Sequence, residues 1–555
     1  MKNNKPLMNR NLPFVAFTLL LAIYFITVIN ISLYKELNNI LGQLDNVKIG
    51  FILSIPFFFL AIFNLLFTLF TWPKFSKPFF IIITIISSVV SYASYNYGIL
   101  FDQNMIVNIV ETDSSEATSY LSTYSAIWVL LMGGIPSLLI FKAPLPKRIK
   151  LVKLVLAKIV SILVSIAVIG VIASLYYQDY ASVGRNNTIL KRMIIPNQFI
   201  SSTVGYIKKA YFSEPIPYKQ IALDAKQITK LQDKNNTKPT LIVFVVGETA
   251  RSQNYQANGY PRPTNQYTQD LDMVSFQDVD ACGTATAVSV PCMFSALTHH
   301  TFDRNKADNQ DNLLDILQRA NISLLWKEND GGDKDVAKRI NKMSVDRSRK
   351  DAVCNGSTCY DIALLENFEQ NVDDLTGNRM IAMHLIGSHG PTYYQRYPQD
   401  KATFQPDCPR ADIENCSIEE IVNTYDNTIL YTDYVISQTV AKLKSLQDRY
   451  NTALIYVSDH GESLGENGIF LHGLPYSLAP EYQTKVPLMV WMSPSFKESK
   501  NVNYDCLQRR SQLRNSYSHD NIFHSVLGIM DIETKEYNKT LDLFSLCRTS
   551  QRKIT

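Results

Sequence analysis

The apolar run TALIYVSDHGE stops abruptly at Asp459, His460 and Glu462. Two other runs end in the same way: TLIVFVVGE leads into Glu248, and RMIAMHLIGSHG into His389. His472 follows in FLHGLPYS. Carboxylate and imidazole groups together suit a divalent cation such as zinc, at metal–ligand distances of about 2.0–2.2 Å. A lone Asp-His pair is usually a satisfied hydrogen bond, but three strand ends bearing such groups point to a metal site. A nucleophile would make that site a reaction centre. The stretch CGTATAVSVPCMFSALTHH offers Thr284 and Thr286, enclosed by Cys282 and Cys292, where a helix is expected to begin. A hydroxyl at a helix N-terminus meets free amides and partial positive charge. Metal coordination would lower its pKa further. Either threonine could equally be an ordinary N-cap.

The elements that must position these residues are legible in outline. The runs are continuous and rich in β-branched residues, VPLMVWMS being a further example, and polar helix-like segments at 312–320 and 417–446 separate them. Apolar strands alternating with helices predict a mostly parallel sheet covered on both faces. Ligands bind such sheets beyond the carboxyl ends of the strands, where these side chains fall.

The 555-residue chain is long enough for two or three domains. Five stretches, 11–34, 49–73, 78–101, 117–141 and 159–178, lack Asp, Glu, Lys and Arg. Each is long enough to cross a bilayer, which predicts an α-helical membrane domain of five transmembrane helices. The first stretch is too long for a signal peptide and has no cleavage site. Lys2, Lys5, Arg10, Lys74, Lys77, Lys142, Lys147, Arg148, Lys150 and Lys153 fall on one side of these spans. Lys35, Lys48, Asp102, Glu111, Asp113 and Glu116 fall on the other. The positive-inside rule then places the N-terminus in the cytoplasm and everything after residue 179 outside. Lys158 is expected to snorkel to the inner headgroups.

All eight cysteines lie after residue 281, in the part expected to be exported, which reads as disulfides. Sequence neighbours suggest pairs 282–292, 354–359 and 408–416, with 506–547 remaining. The expected organisation is a membrane domain at 1–179, a linker with a membrane-surface helix at 180–238 and an α/β catalytic domain at 239–555. The net charge of +4 forms no basic stripe, so nucleic acid is not an expected partner.

The motifs GETAR, CGTATAVSVPCMFS, GSHGPTYYQRYP, VSDHGESLGENGIFLHGLPY and SHDNIFHSVLG stand behind the five spans, and NMIVNIVETDSSEA lies between two of them. Together they resemble the phosphoethanolamine transferases of Gram-negative envelopes, most of all the lipid A-modifying branch that includes the mobile colistin-resistance enzymes. The resemblance implies an alkaline-phosphatase/sulfatase-like α/β domain in the periplasm, anchored in the inner membrane. It implies a zinc-dependent ping-pong transfer of phosphoethanolamine from phosphatidylethanolamine to lipid A or another lipopolysaccharide acceptor. Thr286 would be the nucleophile, with Glu248, Thr286, Asp459 and His460 as zinc ligands. His389 and His472 would face the transferred phosphate or a second metal, beside Glu462, and Lys334 in WKENDGGDK would approach the same group. The family often has two asparagines before that lysine, whereas this chain has Asn329-Asp330; the added carboxylate bears on contact with the ethanolamine ammonium.

Other readings differ in their sequence requirements. A sulfatase would need a Cys/Ser-x-Pro-x-Arg segment, which neither Cys282 nor Cys292 begins. A phosphoglycerol transferase shares the five spans and the threonine, but not the disulfide-rich body. A receptor or transporter would leave the converging ligands unexplained.

Overall fold

A computed structural model describes residues 11–44, 47–112, 117–118, 120–146, 149–228 and 238–548. Lys2, Lys5, Arg10, Asp113, Glu116, Lys147 and Arg148, used in the orientation argument, lie outside the described residues. The chain divides into two compact units: Met1–Ile106 with Ser122–Lys209, and Val107–Leu121 with Ala210–Thr555.

In the first unit, four helices are long and apolar enough to cross a membrane: Ile49–Phe70, Ser76–Asn96, Thr123–Lys142 and Leu151–Asn186. A fifth span arises if Phe14–Ile29 and Ile31–Gly42, bent by 60°, count as one. The bend falls at buried Asn30. Its Nδ2 donates to Phe25 O at 3.0 Å and Ile195 O at 2.7 Å, while its Oδ1 accepts from Ile195 N at 2.8 Å. One amide thus satisfies backbone groups around the break. Lys158 is buried, and its Nζ donates to Leu69 O and Thr71 O at 3.3 and 3.1 Å, over the Trp72 ring. It caps carbonyls at the end of Ile49–Phe70, which that helix leaves unpaired. The segment after the last long helix contains a further helix, Asn197–Tyr211.

The second unit is built on a sheet of β1 (Thr240–Gly247), β2 (Val274–Asp280), β3 (Ser323–Glu328), β4 (Asn341–Ser344), β5 (Arg379–His384), β6 (Asn451–Ser458), β7 (Lys485–Met492) and β8 (Tyr517–Ser518). Their spatial order is β8-β2-β7-β6-β1-β5-β3-β4. Among these strands β7 alone runs antiparallel to its neighbours. Every residue of β1, β5 and β6 is buried. That is why these strands read as unbroken apolar runs rather than alternating ones. Helix Ile418–Ser445 begins with a capping box between Ser417 and Glu420 and contributes buried Ile421, Tyr425 and Ile429 to the interior. The four disulfides join Cys282–Cys292, Cys354–Cys359, Cys408–Cys416 and Cys506–Cys547, as expected.

Candidate active site and metal centre

β1 and β6 are neighbours, so Glu248 and the Asp459-His460 pair leave adjacent strand ends. One ligand-type atom from each of the three lies within 4.8 Å of the others, and all three residues are buried. Thr286 is the first residue of helix Thr286–Met293, tied to the preceding loop by the Cys282–Cys292 disulfide. Its Oγ1 stands 3.2 and 3.4 Å from the Glu248 oxygens and 3.4 Å from His460 Nε2. Thr284, the other candidate, donates its hydroxyl to Leu474 O at 2.6 Å, so the geometry singles out Thr286.

The backbone orients the ligands. Asp459 Oδ1 accepts from Thr249 N at 3.1 Å and His460 N at 2.7 Å, while the buried Oδ2 makes no hydrogen bond. His460 Nδ1 lies 3.0 Å from Gly461 O. Donation there leaves an Nε2 lone pair facing Glu248 at 3.5 Å and Asp459 at 3.3 Å. Gly387, at φ 48°, packs so close that a Cβ would come 2.6 Å from Glu248 O. Only glycine fits that approach.

Charge within the site is unbalanced. Burial, reinforced by Asp459 and Asp330, pushes the Glu248 carboxyl well above its ordinary range. Burial also raises Asp459 to about 6 and Glu462 to about 8. It lowers His460 to about 4, with His472 acting in the same direction. Carboxylates driven toward neutrality gain from a cation that offsets their charge. The unpaired Asp459 Oδ2, the oriented His460 Nε2, the Glu248 carboxylate and the Thr286 hydroxyl are a donor set that fits a divalent metal ion.

A second cluster adjoins the first. His472 Nδ1 is 2.8 Å from Glu462 Oε2, whose other oxygen accepts from Tyr393 Oη at 2.5 Å. The His472 ring lies 4.4 Å from that of His460 and 5.9 Å from that of His389. Asp330 is buried beside Glu248 and His384. Burial opposes its charge, but His384, His389 and Lys334 together hold its carboxyl well below the usual range. Lys334 reaches Gly331 O at 3.4 Å. Asn329 turns its amide to Cys359 O at 3.1 Å and Asp361 Oδ1 at 2.8 Å, bracing the loop.

Sequence reasoning missed two residues that hold the centre together. Thr249 donates both N–H and hydroxyl into it, to Asp459 and Glu248. Arg304 donates to Ala287 O at 2.5 Å and Lys334 O at 3.3 Å, and pairs with Glu111 at 3.3 Å. It thereby links the Thr286 helix, the Lys334 loop and segment 107–121. Thr249 could have been suspected from its place beside Glu248, but Arg304 lies in an ordinary polar stretch and carries no sequence signal.

Comparison with known proteins agrees with this geometry. The family model described as Sulfatase matches residues 240–532. The one described as Phosphoethanolamine transferase EptA/EptB matches residues 59–211. The chain is 36% identical over 540 residues to Phosphoethanolamine transferase EptA of Escherichia coli strain K12, covering 97% of this chain and 98% of that protein. It is 33% identical to Phosphatidylethanolamine transferase Mcr-1 of Escherichia coli, covering 85% of this chain and 88% of the other. Among solved structures, the integral membrane lipooligosaccharide phosphoethanolamine transferase A from Neisseria meningitidis superposes with a TM-score of 0.91 at 34% identity, covering 98% of this chain and 100% of that one. The C-terminal periplasmic domain of EptC from Campylobacter jejuni superposes with a TM-score of 0.53 at 38% identity, covering 60% of this chain and all of that domain.

Proposed function

The chain belongs to the EptA phosphoethanolamine transferase family, and from that premise we propose a covalent relay through Thr286 from phosphatidylethanolamine to a lipid A phosphate. The enzyme is a membrane-anchored transferase; donor, acceptor, zinc and covalent intermediate are the finer parts of this reading. One observation carries it: the Thr286 hydroxyl lies within 3.4 Å of both Glu248 and His460 Nε2.

Glu248, Thr286, Asp459 and His460 would hold zinc. When bound there, the ion lowers the hydroxyl pKa and offsets charge on phosphoryl oxygens. Thr286 Oγ1 attacks the phosphorus of the donor headgroup. The new Oγ1–P bond replaces the bond to diacylglycerol, whose leaving oxygen takes up the proton that Thr286 gives up. A protonated oxygen of the lipid A phosphate then attacks the same phosphorus, and its proton passes to Oγ1 as the Oγ1–P bond breaks. His389, His472 and Lys334 stabilise the phosphoryl oxygens, and Glu462 orients His472. Asp330 adds a buried carboxylate beside the ethanolamine end of the site, with Asn329 fixing the turn that presents it. The apolar helices tether the enzyme to the bilayer that contains both lipids, which raises their effective concentration. The N-terminus is cytoplasmic and the catalytic unit periplasmic in this scheme, and the modified lipid A confers polymyxin resistance.

The full-length protein incubated with phosphatidylethanolamine should carry a phosphoethanolamine adduct on Thr286, seen by intact-protein mass spectrometry. Thr286→Ala should lose both adduct and transfer. Full transfer by that variant overturns the covalent relay. Product analysis showing the group on Kdo or core heptose instead of lipid A moves the acceptor and leaves the relay standing.

A further inference from the structure

The row of strand ends does not stop at Glu248. β6, β1, β5 and β3 lie side by side in that order. At or just past their C-terminal ends stand Asp459-His460, Glu248, His384 and Asp330 in turn. Glu248 therefore has histidine and carboxylate groups on either side of it. On the β5–β3 side, one ligand-type atom from each of Glu248, Asp330 and His384 lies within 4.8 Å of the others, and all three residues are buried.

The imidazole is held as metal-ligating histidines are held. His384 Nδ1 lies 3.1 Å from Glu328 Oε2, an oxygen that also accepts from Trp326 Nε1 at 2.8 Å. Glu328 Oε1 accepts from Asp330 N at 2.6 Å, so the same carboxylate fixes two members of the cluster. A carboxylate behind one ring nitrogen sets the tautomer and aims the other nitrogen at the ion. That other nitrogen, Nε2, belongs to a fully buried side chain and makes no hydrogen bond. Asp330 Oδ2 stands 3.8 Å from it. A proton on Nε2 would lack an acceptor at hydrogen-bond distance. Ligand atoms each about 2.1 Å from a shared ion stand about 3–4 Å apart, and the 3.8 Å between His384 Nε2 and Asp330 Oδ2 falls in that range.

We propose that Glu248, Asp330 and His384 form a second divalent-cation site, with Glu248 as the carboxylate between two ions. Two carboxylates and one imidazole suit a first-row divalent ion such as Zn2+ or Mn2+, with water completing its coordination. The site itself stands on this cluster and holds whichever group the enzyme transfers; the place of Glu248 between two ions rests on the metal centre proposed above.

The test uses the full-length protein in detergent, stripped by chelation and reloaded with Zn2+ alone or Mn2+ alone. Anomalous diffraction should place a peak between Glu248, Asp330 and His384. Elemental analysis should find one equivalent fewer in Asp330→Asn and His384→Gln than in the wild type, whereas Asp459→Asn should retain this ion. Equal metal content in the wild type and Asp330→Asn, or no peak at saturating metal, overturns the proposal and leaves His384 holding a proton. If a variant fails to fold, the anomalous map of the wild type decides alone. An ion between His460, Glu462 and His472 would be told apart by its position, so failure here does not touch the Thr286 relay.

Discussion

The membrane unit and the catalytic unit both bury strong polar groups, but they use them differently. In the membrane unit, the Asn30 amide and the Lys158 ammonium are turned onto backbone atoms at helix breaks and ends. Asn64 donates instead to side chains, the hydroxyls of Ser161 and Ser165, both at 3.0 Å. In the catalytic unit, Asp459 Oδ2 and His384 Nε2 are buried without a hydrogen bond. Leaving a polar atom unpaired in a protein interior costs roughly 1–3 kcal/mol. In the membrane unit the buried atoms left unpaired belong to neutral groups, the hydroxyls of Ser32, Thr84, Ser87 and Ser137 and the indole of Trp128, whereas in the catalytic unit they include a carboxylate oxygen and an imidazole nitrogen where a ligand can bind.

The comparison can be broken first at Asp459. Asp459→Asn should cut transfer by roughly 10³-fold, the scale of removing one charge-stabilising group. In chelator, the same variant should melt no lower than the wild type, because it removes a charge that burial opposes. A lower melting temperature without metal would show that Asp459 serves the fold. Asn30→Leu tests the other side. It strands both backbone groups of Ile195, while Phe25 O keeps the N–H of residue 30 at 3.0 Å. Thermal unfolding in detergent should show a loss of about 2 kcal/mol, with activity per folded molecule unchanged.

The smallest effect sharpens the contrast within the catalytic unit, where His524 Nδ1 is already engaged, accepting from Asn538 N at 3.1 Å. Burial lowers this imidazole to about 4, against about 6.5 in the unfolded chain. Between those values the unfolded chain binds more protons, so its stabilisation is full above about pH 6.5 and declines toward about pH 4. His524→Asn keeps an acceptor and should flatten that decline by less than about 1 kcal/mol per pH unit. An unchanged pH profile of the melting temperature would assign the slope to other groups.

Much of this arrangement was legible because a parallel sheet announces itself. Strands buried on both faces must be apolar throughout, so a carboxylate or histidine at the end of such a run stands out, as Glu248 and Asp459 do. His384 did not stand out: within an apolar strand it reads as a hydrogen-bonded core residue. Only the neighbouring strand ends reveal that one ring nitrogen faces two carboxylates. The partners of Lys158 were hidden for a related reason. Its spacing from the bilayer edge permits snorkelling, but whether it meets water or a helix end depends on the neighbouring helix. The break at Asn30 was invisible because its partners lie at Ile195, far along the chain. Arg304 was missed because a hub is defined by what it joins.

The Cys282–Cys292 ring encloses the loop and first helical turn that aim Thr286. Thiols close such a ring only under oxidising conditions. A newly made polypeptide in a reducing compartment thus holds every residue of the centre but lacks its fastening. Readiness for chemistry is set by when the sulfurs meet as well as by where the ligands stand.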